Sequence, residues 1–222
     1  MPRTESAAHR CPACRMHLTL CICALIRPIA TRTQVVLILH QLEQDKPTNT
    51  GRLAARCLDN SRVIESGAGG HHAPEPDASG AWTAPGTQAL LLFPHPEARP
   101  LEDWRDSPRR ITLVVPDGTW RQAKKARRRI AGLAELPCVG LPAAGPSSYR
   151  LRHAARPDRL ATIEAIARAL GILEGPEVQQ QLDYIFRVMV DRTLWTNGRI
   201  ATEAVTGGIP AGIRSHDPLG IG

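Results

Sequence analysis

Apolar runs that alternate with helical stretches constrain the fold of this chain more than any other feature. The run QVVLILH (34–40) is β-branched and uninterrupted, which is typical of a strand buried on both faces of a parallel sheet. Strands that alternate with helices predict an α/β fold, in which a mostly parallel sheet carries helices on both faces. Ligands of such sheets bind beyond the carboxyl ends of the strands. The other expected strands are RVIES (62–66), ALLLFP (89–94), ITLVVP (111–116) and PCVGL (137–141).

Four segments between and after these strands have the apolar spacing of helices. They are TGRLAARCL after a cap at Thr48, Asn49 or Thr50, the stretch after PDGTW, residues 159–170 with Gly171 as the stop, and residues 176–195. Residues 67–86 are rich in Gly, Pro, Ala and His and are expected to form a long irregular loop, in which His71 and His72 are solvated. The Gly- and Pro-rich tail beyond Asn197 is expected to be loosely ordered.

Four of the six cysteines, Cys11, Cys14, Cys21 and Cys23, lie within thirteen residues near the start of the chain. Four thiolates in so short a segment can surround a tetrahedral zinc ion, and a closed site of this kind is structural because no position is left for a catalytic water. His17 is an alternative ligand, and a redox-active thiol cluster is an alternative function. Cys57 and Cys138 lie in apolar surroundings and are expected to be small core residues.

The net charge of +7 is concentrated in one stretch. Six positive charges and no acid lie within RQAKKARRR (121–129). At 100° per residue, apolar residues fall on one side of this helix and basic residues on the other. Surface helices normally mix charges of both signs, so the pattern favours phosphate binding over a merely solvated face. The candidate RNA-binding residues are Arg121, Lys124, Lys125, Arg128 and Arg129.

The length of 222 residues and a hydrophobic content of 42% suit one α/β domain with a small appendage and exclude a disordered chain. The expected division is a zinc-binding segment (1–30), a catalytic domain (31–200) and a C-terminal tail (201–222). No stretch approaches 18 apolar residues and the polar start lacks the apolar core of a signal peptide, so we expect a soluble, cytoplasmic protein. The motifs of P-loop NTPases, Rossmann dehydrogenases, zincins and α/β-hydrolases are missing from the sequence.

Several ordered motifs resemble those of the DTW-domain family, the tRNA-uridine aminocarboxypropyltransferases. The D-x-T-W signature matches Asp117-Gly118-Thr119-Trp120. The supporting matches are the four-cysteine cluster, HQLE (40–43) leading to KPTNTGRLA, LLFP (91–94), PSSYRLR (146–152) and ATIEA (161–165). The resemblance implies a knotted, SPOUT-like α/β domain. It also implies transfer of the 3-amino-3-carboxypropyl group of S-adenosylmethionine to N3 of a tRNA uridine, which leaves 5'-methylthioadenosine.

Asp117 is the candidate catalytic residue, because uridine N3 is a poor nucleophile until its proton leaves. It could act as the general base or stabilise the sulfonium, and Asp117 or Thr119 could instead only cap the following helix. Trp120 could stack on a base or be a large core residue, and Glu164 could line the site or simply be solvated. The candidate cofactor-binding residues are Leu92, Phe93, Pro94, Asp117, Thr119, Trp120, Ser147, Ser148, Tyr149, Arg150, Arg152, Thr162 and Glu164.

Within this set, the Ser147 and Ser148 hydroxyls could hold the methionyl group, and Arg150 or Arg152 could bind its carboxylate or an RNA phosphate. Two other functions compete with aminocarboxypropyl transfer. An RNA methyltransferase could use the same cofactor, because all three carbons on the sulfonium are electrophilic and geometry selects the one that reacts. A non-catalytic zinc-containing RNA-binding protein would explain the cysteines and the basic helix, but would leave PDGTW and PSSYRLR without a purpose.

Overall fold

A six-stranded sheet in which every pair of neighbouring strands is parallel forms the centre of the structure. The computed structural model describes residues 9–68, 75, 77–143, 145–151 and 160–213. The strands are β1 (Gln34–His40), β2 (Ser61–Ser66), β3 (Thr87–Leu92), β4 (Arg99–Pro100), β5 (Arg110–Asp117) and β6 (Cys138–Gly140). Their spatial order is β2-β1-β5-β3-β6-β4.

The two central strands, β1 and β5, are buried on both faces of the sheet, which explains why their apolar residues do not alternate with polar ones. In β1, Val35 and Leu37 face one core cluster, while Val36 and Ile38 face a second cluster on the other side of the sheet. Strand β5 pairs with β1 so that Asp117 is opposite Leu39. All five expected strands are therefore confirmed. The additional strand, β4, has two exposed residues and no apolar pattern that could have predicted it.

In the described residues, four α-helices cover the two faces of the sheet: α1 (Thr50–Cys57), α2 (Trp120–Arg129), α3 (Thr162–Leu173) and α4 (Pro176–Thr196). Buried residues of α1, α3 and α4 belong to one core cluster, and those of α2 belong to the other. The expected helices on both faces are thus confirmed, and Asn49 is the residue that caps α1. After β6 the chain passes through residues 152–159, which lie outside the described residues, so the knot stays a prediction.

Short 3-10 turns complete the described secondary structure. They are Leu18–Leu20, Cys23–Leu25, Gln41–Glu43, Ser79–Ala81, Leu101–Trp104 and Thr202–Ala204. The segment with the turn at 79–81 was expected to be irregular, yet its Trp82 is buried against the α2 side of the sheet. In the part of the chain that the structure describes, no helix combines the length and the apolarity needed to cross a bilayer.

The expectation that Gly171 ends the third helix is wrong. Helix α3 continues through it to Leu173, and the chain turns at Gly175, whose φ is +120°. A Cβ atom at Gly171 would lie 2.3 Å from Oε1 of Gln179 on α4. Glycine is therefore needed at this position because two helices approach each other closely there, not because a helix stops.

The cysteine segment and the described part of the C-terminal tail both pack against the domain. Leu20 and Ile22 of the cysteine segment belong to the same core cluster as α3 and α4. The expected loose ordering of the tail is wrong for its described part, through residue 213. Val205 is buried, and the Thr206 amide and hydroxyl both donate to Asp191 on α4. Hydrogen bonds to a helix hold this segment, and its glycines only shape the turns.

Candidate active site and cysteine cluster

A cavity of about 950 Å³ lies at the carboxyl ends of β3, β5 and β6, in the size range of small-molecule sites. The starts of α1, α2 and α3 also reach it, through Asn49, Thr119 and Thr162. Amide groups at the first turns of helices carry partial positive charge, so three such turns favour a carboxylate in or beside the cavity. The cavity is where the parallel topology places a ligand.

Asp117 is a buried carboxylate at the wall of this cavity, with 6% of its surface exposed. The Asn49 amide donates to Oδ2 over 2.6 Å, and the Thr162 hydroxyl donates to Oδ1. Burial raises the pKa of Asp117, although these two hydrogen bonds oppose that change. A Cβ at Gly51 would lie 2.7 Å from the carboxyl carbon, so the first turn of α1 fits closely against it. The carboxylate is therefore fixed and more basic than an exposed one.

Thr119 is the cap of α2. Its hydroxyl accepts from the Gln122 amide over 3.3 Å, and its own amide donates to the Gln122 side chain over 2.6 Å. These reciprocal bonds form a capping box, which satisfies the first turn of the helix. The side chains that donate to Asp117 belong to the starts of α1 and α3 instead. The helix α2 therefore does not need Asp117 as its cap.

Aromatic and apolar residues line the cavity together with Asp117. Trp120 is 43% exposed, and its ring makes an edge contact with Phe93 at a centroid distance of 6.1 Å. Leu92 and Pro94 also line the cavity. The alternative that Trp120 is a core residue is wrong, because its ring faces the cavity and solvent. An exposed indole of this kind is available to stack on a purine or pyrimidine.

Glu164 organises a loop beside the cavity. It is buried and accepts hydrogen bonds from the Ser147 hydroxyl (2.6 Å), the Ser148 amide (2.7 Å) and hydroxyl (3.0 Å), and the Ala161 amide (2.7 Å). The alternative that Glu164 is simply solvated is therefore wrong. The cavity-lining residues include none of these three side chains. A direct contact of Ser147, Ser148 or Glu164 with a cofactor stays a prediction.

The rest of the same loop is tied to other elements. The buried Tyr149 donates its hydroxyl to the Thr48 carbonyl over 3.1 Å, and its ring packs on Phe186. Arg150 forms an ion pair with Asp191 on α4. Neither Tyr149 nor Arg150 lines the cavity, so their cofactor contacts stay predictions. Arg152, His71 and His72 lie outside the described residues.

Sequence reasoning did not assign to the site six polar residues that line the cavity, namely Glu43, Lys46, Thr48, Asn49, Thr50 and Arg168. One signal could have found Arg168: it follows Thr162 and Ala165 at intervals of three, which places all three residues on one face of α3. Glu43 ends the 3-10 turn Gln41–Glu43 and pairs with Lys46 over 2.6 Å. Both residues lie in the family motifs HQLE and KPTNTGRLA, which is the signal that could have found them.

The basic helix α2 begins at the mouth of the cavity. Arg121, Lys124 and Arg128 are exposed, and Arg121 also lines the cavity. Ala123 and Ala126 are buried against the sheet, as the helical arrangement predicted. Lys125 is half-buried, and Nε of the half-buried Arg129 lies 3.9 Å from a Glu75 oxygen. The exposed part of the basic surface therefore runs outward from the cavity.

The four N-terminal cysteines form a cluster in which all the sulfur atoms lie within 4.8 Å of one another. The Sγ–Sγ distance is 3.7 Å for Cys11–Cys23 and 3.7 Å for Cys14–Cys21. A tetrahedral zinc ion with Zn–S bonds of about 2.3 Å has sulfur–sulfur edges of about 3.8 Å. The donor set therefore fits zinc. His17 instead caps a 3-10 turn, with its Nδ1 2.8 Å from the Thr19 hydroxyl oxygen.

Two arginines hold the cysteine cluster against the domain. Arg56 of α1 donates to the Cys23 sulfur over 3.8 Å. The buried Arg192 of α4 donates to the carbonyls of Leu20 (3.2 Å), Cys21 (2.9 Å) and Gly208 (3.1 Å). Burial lowers the pKa of Arg192. The cluster is thus part of the packed structure rather than a separate module.

The DTW domain matches residues 8–194 of this chain, which is most of its length. The chain belongs to the DTW-domain family. This DTW-domain chain is 31% identical over 179 residues to tRNA-uridine aminocarboxypropyltransferase 2 of Drosophila melanogaster, covering 78% of this chain and 70% of the relative. It is 32% identical over 169 residues to the Mus musculus protein of the same name, covering 74% of this chain and 56% of the relative. The chain thus spans little more than half of the mouse relative.

Among solved structures, the DTW-domain chain is similar to the SAM-dependent rRNA:acp-transferase Tsr3 from Vulcanisaeta distributa. The sequence identity is 19%, the TM-score is 0.45, and the match covers 79% of this chain and 85% of the other. This similarity is too weak to support an argument about fold or chemistry. Family membership depends on the domain match and on the fly and mouse relatives.

Proposed function

We propose that this chain transfers the 3-amino-3-carboxypropyl group of S-adenosylmethionine to N3 of a tRNA uridine. The relatives are named for this activity. The observation that carries the proposal is Asp117 of the family signature, a buried carboxylate at the wall of a cavity large enough for a nucleoside cofactor. The reaction requires a group that accepts the N3 proton, which a carboxylate oxygen can do, and an aromatic surface on which a nucleobase can stack.

The reaction forms one bond and breaks one bond at the same carbon. The N3–H proton of uridine moves to a base, and N3 attacks the γ-carbon of the methionyl chain. The bond from this carbon to sulfur breaks, its electron pair stays on sulfur, and neutral 5'-methylthioadenosine leaves. Asp117 serves as the base, directly or through water, because its raised pKa makes it a better proton acceptor than an exposed carboxylate. The same negative charge stabilises the sulfonium before transfer.

Other cavity residues bind and orient the two substrates. The exposed ring of Trp120 stacks on a base, and Leu92, Phe93 and Pro94 exclude water from the reacting atoms. Thr162 and Asn49 hold the carboxylate of Asp117 in place through their hydrogen bonds. The exposed residues of α2 bind tRNA phosphates next to the cavity. The loop at 147–150 shapes the cavity from behind through Glu164 and Tyr149.

The four cysteines bind one zinc ion, which supplies rigidity to the N-terminal segment and takes no part in transfer. Thiolate ligands need a reducing compartment, so we place the protein in the cytoplasm.

Isotope-labelled cofactor tests the proposed reaction. Bulk tRNA lacking the modification is incubated with the protein and S-adenosylmethionine that carries heavy carbon either in the methyl group or in the carboxypropyl chain. We expect the nucleoside adduct, measured by mass spectrometry, to contain the chain label and not the methyl label. An adduct with the methyl label would instead make the protein a methyltransferase. If tRNA binds but no adduct forms, the protein is a non-catalytic RNA-binding protein.

A further inference from the structure

Arg168 is a cavity residue to which the proposed reaction gives no role. It is half-buried on α3, on the same face as Thr162 and Ala165, and all three line the cavity. Six residues of helix separate Thr162 from Arg168, which corresponds to about 9 Å along the axis. The Thr162 hydroxyl donates to the Asp117 carboxylate, so a negative charge lies beside the start of α3. The positive charge of Arg168 lies farther along the same helix.

Arg168 forms no close ion pair within the described part of the chain, although its charge interacts at longer range with the Asp183 carboxylate on α4. The neighbouring cation in the cavity, Lys46, pairs with Glu43 over 2.6 Å. Arg168 donates from Nη2 to the Gly145 carbonyl over 3.0 Å, and among the residues described it takes part in no ion pair. A guanidinium has five N–H donors in a planar fork, so one carbonyl leaves most of them unused. Such a group suits a carboxylate ligand.

Resting on the proposed function, we propose that Arg168 binds the α-carboxylate of S-adenosylmethionine and thereby directs transfer to the carboxypropyl chain. The cofactor carries a positive sulfur at one end of that chain and a carboxylate at the other. Along the cavity wall, the negative Asp117 corresponds to the positive sulfur and the positive Arg168 corresponds to the carboxylate. Holding the carboxylate fixes the γ-carbon, and the carbon held in line with the nucleophile is the one that reacts.

This proposal assigns to Arg168 the carboxylate contact that the sequence analysis predicted for Arg150 or Arg152. Arg150 is committed to the buried Asp191, and it does not line the cavity. Moving Arg150 toward a ligand would leave Asp191 buried without its cation, which is costly. Arg168 needs no such rearrangement, because its contact with Gly145 is to a neutral carbonyl.

Ligands with and without the carboxylate test this proposal. Binding of S-adenosylmethionine, decarboxylated S-adenosylmethionine and 5'-methylthioadenosine is measured by calorimetry for the wild type, R168Q and R168K. Charge-assisted hydrogen bonds of about 1.5–3 kcal/mol correspond to about 10- to 150-fold in affinity. We expect R168Q to bind S-adenosylmethionine more weakly by that factor while its affinity for the other two ligands is unchanged. R168K keeps the charge without the fork, so its loss should be intermediate. R187Q, at an exposed arginine of α4, is the matched control.

Two results would overturn the proposal. One is an equal loss of affinity for all three ligands in R168Q, which indicates a distorted cavity rather than a lost carboxylate contact. The other is an unchanged preference for the carboxylated ligand. Melting curves of R168K and R168Q show whether either substitution causes a folding defect. The labelled-cofactor experiment is read separately: a protein that discriminates the carboxylate but transfers a methyl group would overturn the proposed reaction and the directing role of Arg168, and would leave only its contact with the carboxylate.

Discussion

At the scale of single residues, the position of Asp117 is a compromise between burial and hydrogen bonding. Its carboxylate is removed from water, which raises its pKa, and it is held by two side-chain donors from different helices. A carboxylate in this environment is both oriented and basic. These properties are what proton removal from uridine N3 demands.

We expect Asp117→Asn to lower turnover by about 100- to 10,000-fold, the usual cost of losing a general base. The measurement is single-turnover formation of the modified uridine with saturating tRNA and cofactor. Asp106→Asn, at an exposed aspartate, is the matched control. A near wild-type rate in Asp117→Asn would assign proton removal to another group. Lost cofactor affinity with normal chemistry at saturation would assign Asp117 to binding alone.

The raised pKa of Asp117 also predicts how stability depends on pH. The folded protein holds this proton more tightly than the unfolded chain, whose pKa is near 3.8. The free energy of unfolding therefore falls as pH rises from the unfolded pKa through the higher folded pKa. The Asp117→Asn variant has no carboxyl group to titrate at this position, so its free energy of unfolding does not fall with pH for this reason. Melting curves between about pH 4 and pH 8 should show the variant gaining stability relative to the wild type as pH rises. A difference that is constant with pH would contradict the raised pKa.

Sequence reasoning identified Asp117, Trp120 and Thr162 as cavity residues because each lies in or next to a motif. It assigned Ser147, Ser148 and Glu164 to the same site, where both serines hydrogen-bond to Glu164 and none of the three is among the cavity-lining residues, so their contact with a ligand stays a prediction. A motif shows that residues act together. It does not distinguish a residue that contacts the ligand from one that holds the wall, because that depends on side-chain direction in a loop without periodicity.

At the scale of secondary-structure elements, α2 combines two functions along its length. Its first turn lines the cavity through Trp120 and Arg121, and its later turns present an exposed basic surface. A uridine that reaches Trp120 belongs to an RNA chain whose neighbouring phosphates need positive charge close by. The helix supplies this charge at distances fixed by its geometry.

Replacing Arg121, Lys124, Lys125 and Arg128 by alanine should weaken tRNA binding and make its salt dependence shallower. Each lost phosphate contact removes a slope of roughly 0.7–0.9 in log affinity against log salt. Binding titrations at several salt concentrations measure it. The control removes exposed arginines of other elements, Arg62, Arg105 and Arg187. An unchanged slope in the α2 variant, or an equal change in the control, would mean that the helix does not contact RNA.

The elements themselves were largely predictable, because apolar runs and helical spacing are local signals. The errors have tertiary causes. Glycine often ends a helix, but Gly171 lies inside α3, at the point where Gln179 of α4 approaches it closely. Strand β4 forms because β6 offers an edge, and nothing in its two residues indicates a strand. Such features depend on neighbours that are distant in the sequence.

At the scale of the whole molecule, α4 connects the cysteine cluster, the loop at 147–150 and the C-terminal segment. Asp191 pairs with Arg150 and accepts from Thr206, and the adjacent Arg192 donates to Leu20, Cys21 and Gly208. Two neighbouring residues of one helix thus reach three separate parts of the chain. The core cluster that joins Leu20 and Ile22 to α3 agrees with this arrangement.

We expect one zinc ion per chain, bound by Cys11, Cys14, Cys21 and Cys23. Cys11→Ser combined with Cys23→Ser should lose the metal and lower the melting temperature, because a structural zinc site contributes to folding. Elemental analysis of protein purified without chelator measures the metal. Cys138→Ala, outside the cluster, should keep it. Wild-type protein without zinc, or a double variant with full zinc content, would contradict the assignment.

The bond from Arg192 to the Cys21 carbonyl spans 171 positions of the chain, and this has a consequence for how the protein is made. The ribosome adds about 5–20 residues per second, so the cysteines emerge roughly ten to thirty seconds before the arginine that secures them. During this interval their thiols are open to oxidation or to a competing metal. The sheet is also incomplete early in synthesis, because β1 needs the later strand β5 on its other edge. Nascent chains therefore depend on reducing conditions and on available metal until α4 is complete.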